Sequence, residues 1–411
     1  MIEFERFVLD NGLRLLIHRD RRTPIASMNL MYEVGSKYED PHLTGLAHLF
    51  EHLMFEGSLN APDFDLPMQM AGAEDNAYTN NDLTCYYSSL PAVNMEIPFW
   101  LEADRMAHLN INQASLDLQR NVVMEEFLET TTNKPYGKAW HYLSGMAYKV
   151  HPYRWPTIGV HTDHIKRINL DDLTGFYSNY YTPDNAVLSV VGDVDRERVL
   201  DLTHRWFDPI AKQKQRQEDI KVEPPQEGFR SMDAEEEVPL PALYLAFHMP
   251  ERKAEDYYGI DLISDLLGSG TSSRLYQTLV KEQGVFSSIH SYITGVIDGG
   301  LLIIEGKIFP NIGIEEAEKR VWDLLDSFMH GDLPERELQK VKNIVESNLI
   351  YNETRASSIA HALSYYELLG DAHLINREIE RYERVTVKDV QRLAQKLFKR
   401  DNCSRLRFVN Y

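Results

Sequence analysis

The order of sequence patterns recurs once along the chain, and this recurrence limits the possible folds more than any other feature. The first half opens with alternating, strand-like stretches, FERFVLDNGLRLLIH and IASMNLMYEV, around an Asp10-Asn11-Gly12 turn. A helix is expected from Gly45 to about Phe55, then a polar, β-rich strand pair over Asn76–Leu90 and helical text from Ile97 to about Thr131. A buried strand, AVLSVVGDV, and a helix, RERVLDLTHRWF, close this half. Next comes Ala211–Gly228, charged, proline-bearing and without apolar periodicity, which reads as a linker. Beyond it the order returns: strand PALYLAFHMP, helix YYGIDLISDLLG, strands around Ile289–Ile308, and long helices from Ile314 to Leu369.

Sliding the chain by about 213 positions lays LFEHLMFEGS over LISDLLGSGT. Leu49 falls on Leu262, Phe50 on Ile263 and Leu53 on Leu266, while His48, Glu51 and His52 meet Asp261, Ser264 and Asp265. A duplicated scaffold with polar chemistry in one copy gives this pattern; two unrelated α/β domains are the alternative. The expectation is an α+β fold of two homologous domains, each an antiparallel-rich sheet packed with helices, at 1–211 and 229–411 with a linker at 212–228.

Of 411 residues, 43% are hydrophobic and 26% charged, enough apolar material for real cores and too much for a disordered chain. Lys and Arg number 43 against 63 Asp and Glu, a formal charge of -20 that argues against nucleic acid or anionic membrane as partner. Apolar runs such as Ala186–Val191 fall far short of the roughly 20 residues a membrane helix needs. The amino terminus carries acids early and lacks the apolar core of a signal peptide. Cys85 and Cys403 cannot make a disulfide framework and fit a reducing compartment. A cytoplasmic protein is expected; a periplasmic chain trimmed of its leader reads the same.

His48-Leu49-Phe50-Glu51-His52 carries the chemistry. On a helix, positions i and i+4 share a face, so both imidazoles can point at one metal ion, with Glu51 beside them. Two neutral imidazoles and a carboxylate suit Zn²⁺, whose catalytic sites use three protein ligands and keep one position open. The spacing is H-x-x-E-H, the inverted form of the commoner zinc-peptidase motif. A solvated helix with an incidental His pair is the plainer reading of these five residues alone. A third ligand has to come from elsewhere, and QRNVVMEEF offers Glu125 and Glu126 on an apolar-rich helix.

The stretch VGSKYEDPHLTGLAHLFEHLMFEGS resembles the active-site helix region of the pitrilysin family of metallopeptidases, which includes insulysin and the mitochondrial processing peptidase. NAYTNNDLTCYY is similar to that family's N-A-x-T-x-x-D-x-T-x-Y strands, QRNVVMEE to its E-R-x-x-V-x-x-E helix, and YYTPDNAVLSVVGDVD to its Y-x-P-x-N segment. GSGTSSRLYQTLVKEQG resembles a G-x-S-S-R-L segment of the second half, so matches in the same order cover most of the chain. The resemblance implies His48, His52 and Glu126 as zinc ligands, one ion per chain, and Glu51 as general base. It implies that Asn76, Ala77 and Thr79 lie on an edge strand that pairs with an extended peptide. It also implies one half of a clamshell, completed by a second chain of the same type. Cys85 reads as a small packing residue.

Two departures from the family pattern stand out. Where relatives carry a Glu seven residues before the ligand Glu, this chain has Gln119, two helical turns away and so near the metal but uncharged. Where active relatives supply an Arg and a Tyr to the substrate carbonyl, Val280 and Ser287 align, and neither can replace those donors. Small local shifts in the alignment could bring Tyr292 or Arg274 to these positions, though Arg274 sits in the separate S-S-R-L motif. The expected function is a zinc endopeptidase for extended peptides, acting as the metal-bearing subunit of a heterodimer whose partner holds the Arg/Tyr pair. A self-sufficient homodimer and a non-catalytic structural subunit are the alternatives.

Overall fold

The Asp10–Gly12 turn folds the amino-terminal stretches into a hairpin of Glu5–Val8 (β1) and Arg14–Arg19 (β2), paired from Glu5↔Ile17 to Val8↔Arg14. The computed structural model describes residues 1–212 and 219–409, so residues 213–218 of the expected linker lie outside it. Ile25–Tyr32 (β3), Glu74–Thr79 (β4), Thr84–Pro91 (β5) and Ala186–Gly192 (β6) complete a sheet ordered β1-β2-β6-β3-β5-β4. β2 and β6 are parallel and every other pairing is antiparallel, which leaves β4 at the edge.

All of β6 is buried, and so is nearly all of β3, so this sheet must be covered on both faces. One face carries Leu15, Leu30 and Leu188 against Leu49, Phe50 and Leu53 of helix Leu46–Leu53 (α1) and Leu116 and Val123 of helix Gln113–Phe127 (α2). The other packs Met31, Cys85 and Val187 against Ile359, Ala360 and Leu363 of helix Ala356–Leu368 (α3).

A second sheet is built from Arg230–Glu235 (β7), Ala242–His248 (β8), Phe286–Ile293 (β9), Leu301–Ile308 (β10) and Cys403–Val409 (β11), in the order β7-β11-β8-β10-β9. β7 and β11 are parallel and the rest antiparallel. This is the order and sense of β2-β6-β3-β5-β4, with β1 as the first sheet's addition. β5 and β10 start at residues 84 and 301, and β6 and β11 at 186 and 403, the same offset twice. A duplication is therefore present in the backbone, at an offset of 217 in these strands where the apolar matches were read at about 213, and the α+β class holds.

The compact units do not follow a single cut in the chain. Residues 128–154 pack with the second unit and 350–377 with the first. In the second unit, helix Ala139–Ala147 sets Leu143, Met146 and Ala147 on one face of the sheet. A division at 1–211 and 229–411 omits this exchange. The helical text around Ile97–Thr131 is two helices, Glu96–His108 and α2, separated where Asn112 Oδ1 accepts the amides of Ala114 and Ser115, both at 3.0 Å.

Candidate metal centre

α1 forms where Leu46, Ala47, Leu49, Phe50 and Leu53 make one apolar face. Burying each large member of that face stabilises the packing by about 1.5–3 kcal/mol. His48, Glu51 and His52 are thereby turned away from the core. The amino end of α1 is held by Glu39, whose carboxyl oxygens accept the Gly45 amide at 3.1 Å and the Ala47 amide at 2.8 Å. Burial pushes the Glu39 carboxyl up to about 8, against the pull of those amides. Gly45 has φ of 92°, and a Cβ there would meet the Ile158 carbonyl oxygen at 3.0 Å, so only glycine enters the helix this way.

α2 lies against α1 and buries Leu116, Val123 and Phe127, which turns Glu126 towards the imidazoles and leaves Glu125 exposed. His48 Nε2 and His52 Nε2 are 3.4 Å apart, and each is 3.7 Å from Glu126 Oε2. Among the described residues these three form the one group of metal-ligating side chains whose donor atoms converge. Three ligands at zinc bond lengths in a tetrahedral arrangement stand roughly 3.3–3.6 Å apart. The triangle fits such an ion with little adjustment. Burial, with His52 adding to it, lowers His48 to about 4, so its imidazole is neutral and able to bind metal near pH 7.

Glu51 stands beside the triangle. Burial raises its carboxyl, while the hydroxyl and backbone amide of Thr79 face it and favour the ionised form. Its Oε2 is buried without a partner. Thr79 Oγ1 is 3.2 Å from Thr84 Oγ1, which donates to the Val34 carbonyl at 2.8 Å. The β4–β5 turn is clamped from outside: Ser36 and Lys37 donate backbone bonds to the carbonyls of Asn80 and Asn81, and Lys37 pairs with buried Asp82 at 2.9 Å. Gly35 lies so close that a Cβ would fall 2.3 Å from the Asn80 oxygen. Asn76, Ala77 and Thr79 all lie on β4, with Asn76 exposed at the edge.

Gln119 donates to the Glu56 carboxylate, and its own Oε1 is buried without a partner. Cys85 is fully buried, accepts a bond from Asn29 Nδ2 at 3.0 Å, and has its thiol pushed up to about 12, as befits a packing residue. In the second unit Asp261 accepts the Tyr382 hydroxyl at 2.6 Å. Val280 packs on the core, Ser287 donates to the Lys307 carbonyl at 3.1 Å, and Arg274 is held by both oxygens of Glu337 at 2.8 Å. Tyr292 is half-exposed, its hydroxyl 3.3 Å from Glu305. The roles of Glu39 as helix cap and of Thr79 behind Glu51 had no signal in the sequence, because both depend on where distant loops fold back.

The family model described as insulinase (peptidase family M16) matches residues 14–159, and the one described as peptidase M16 inactive domain matches residues 167–345. Zinc protease PqqE of Helicobacter pylori is 30% identical over 401 residues, covering 96% of this chain and 90% of that protein. The chain belongs to peptidase family M16. A second member, the uncharacterized zinc protease YmxG of Bacillus subtilis, is 25% identical over 97% of this chain and 96% of its own length. The crystal structure of a protease from Helicobacter pylori superposes on all of this M16 chain with a TM-score of 0.94 at 29% identity, and all of that chain is covered. The M16 half-length architecture is thus shared along the whole chain. No helix among the described residues is long and apolar enough to cross a membrane.

Proposed function

We propose that this M16 chain is a zinc endopeptidase for extended peptides, with His48, His52 and Glu126 holding one ion and Glu51 acting as general base. The observation that carries the reading is the donor triangle of 3.4, 3.7 and 3.7 Å with an acid of raised pKa beside it. Zinc, when bound, supplies a Lewis acid for the scissile carbonyl and acidifies water. Glu51 takes a proton from the attacking water as the new C–O bond forms. It then delivers that proton to the amine nitrogen as the C–N bond breaks. A carboxyl raised by burial suits both halves of this exchange. Thr79 holds Glu51 in place, and β4 offers its open edge to the peptide backbone.

The oxyanion donors are the missing part. Val280 has no donor, Ser287 is bonded to its own sheet, and Arg274 is held by Glu337. We infer a homologous partner subunit that brings an Arg/Tyr pair to the substrate carbonyl. The test is peptide cleavage by zinc-loaded chain, alone and with a co-purifying homologue, with Glu51→Gln as control. Activity that appears only with the partner and vanishes in Glu51→Gln supports the reading. Full activity of the chain alone removes the partner, and activity that persists in Glu51→Gln removes the mechanism.

A further inference from the structure

The face of the first sheet beneath α1 is not wholly apolar. Strand register sets Tyr32 of β3 and Thr79 of β4 on either side of Thr84 of β5, and Tyr86 stands two residues along β5 on the same face. Phe50 of α1 lies on Tyr181 with ring centroids 4.4 Å apart, and Phe55, just past α1, lies 6.1 Å from Tyr86. Glu51 falls between these two phenylalanines in the chain. Tyr181, directly after helix Leu170–Tyr180, also meets Tyr32 at 4.8 Å, and Arg105 of helix Glu96–His108 stacks its guanidinium 4.1 Å from the Tyr86 ring centre.

Tyr32, Tyr86, Tyr181 and Arg105 are at most 2% exposed, yet each keeps a polar atom without a partner: three phenol hydroxyls and Arg105 Nη1. Glu51 Oε2 is a fifth such atom. Burial raises the Tyr86 and Tyr181 phenols, and the Glu51 carboxylate adds to the rise in both, which agrees with its place at the edge of this cluster. The charge of Arg105 is already met, since Nε and Nη2 hold the two oxygens of Glu102 at 2.8 and 2.5 Å. What the cluster lacks is hydrogen bonds. Five buried polar atoms left unpaired would cost about as much as the whole stability of an ordinary domain. Water donates and accepts, so it suits a set of N–H, phenol and carboxylate groups. An anion only accepts, and it would find no spare positive charge here and Glu51 beside it.

We propose that Tyr32, Tyr86, Tyr181 and Arg105 enclose a cluster of ordered water that bonds Glu51 Oε2 from the sheet side, so that the phenols are positioning residues for Glu51. The role in the reaction rests on Glu51 being the general base.

The test is a set of crystal structures of the metal-free chain, for wild type, Tyr86→Phe and Tyr181→Phe, grown with and without sodium bromide, followed by kinetics of the zinc-loaded forms on an extended peptide. Wild type should show about two waters, since each makes roughly three hydrogen bonds, in reach of Arg105 Nη1, the phenols and Glu51 Oε2. Removing either hydroxyl should displace a water and leave the Glu51 carboxyl in a shifted or divided position. In the loaded forms kcat should fall about three- to tenfold, the effect of losing one hydrogen bond, with KM and zinc content unchanged. No water at these atoms in wild type, a bromide peak among them, or an unchanged Glu51 carboxyl and kcat in both variants overturns the proposal. If the waters and the Glu51 shift are found and no form cuts peptide, the water site stands and the reading of Glu51 as general base fails.

Discussion

Glu39 receives the Ala47 amide at 2.8 Å, one residue before the first histidine of the metal centre. The residue that orients α1 is thus a buried carboxyl group nine positions upstream of His48, on a loop that also clamps the β4–β5 turn. Replacing Glu39 with Ala leaves helix amides without an acceptor. The expected result is a loss of about 1–3 kcal/mol in unfolding free energy, with weaker zinc binding, read by denaturant titration and by competition with a chelating dye.

Gly45→Ala probes the same joint from the backbone. A Cβ at φ of 92° is strained, and the Ile158 carbonyl stands 3.0 Å from it. The conformational cost alone is about 1–2 kcal/mol, so a lowered midpoint in urea with an unchanged slope is expected. A variant as stable as wild type would contradict the account of helix entry.

Glu51→Gln should keep the ion and lose the chemistry. Positioned proton transfer is worth about 10²–10⁴-fold in rate, so cleavage should fall by at least that much while zinc content stays at one per chain. Loss of both together would mean that Glu51 belongs to the ligand set.

Zinc should stabilise the folded chain through the triangle. At a free concentration one hundred times Kd, the gain is about 2.7 kcal/mol. Thermal unfolding with and without zinc should show this rise in wild type and lose most of it in Glu126→Gln, and chelation should abolish cleavage until zinc is restored.

In the second unit, Glu223 accepts the amides of Lys149, Val150 and His151 at 2.8, 2.8 and 2.9 Å. Burial raises its carboxyl, but the three amides outweigh that and hold it below the ordinary carboxylate range. A depressed acid stabilises above its unfolded pKa and loses that contribution as pH falls through the folded value. Glu223→Gln should therefore cost about 1–2 kcal/mol near pH 7, with the difference from wild type closing in acid. A difference that is constant with pH would contradict the ionised contact.

How much of this was legible in the sequence depends on whether the information was local. The five residues His48–His52 carry their geometry in their spacing, and α1 appears at Leu46–Leu53 within the expected stretch. The apolar matches between the halves survive as two sheets of one topology. The exchange of helices was not legible, because the apolar stripe of Ile359, Ala360 and Leu363 says that α3 is buried but not on which sheet. β7 and β11 were missed for a related reason: the mixed polar text of Arg230–Glu235 and Cys403–Val409 becomes strand only through pairing with each other and with β8. Likewise, Glu126 was distinguished from Glu125 by resemblance, whereas in the structure the burial of Val123 and Phe127 decides it.

The most direct measurement is anomalous scattering from crystals of the zinc-loaded chain, collected on both sides of the zinc absorption edge. The expected result is one peak per chain, about 2.0–2.2 Å from His48 Nε2, His52 Nε2 and Glu126 Oε2, with the Glu51 carboxyl beside it. Stoichiometric zinc bound elsewhere, or a Glu126 carboxylate turned away from the ion, would contradict it.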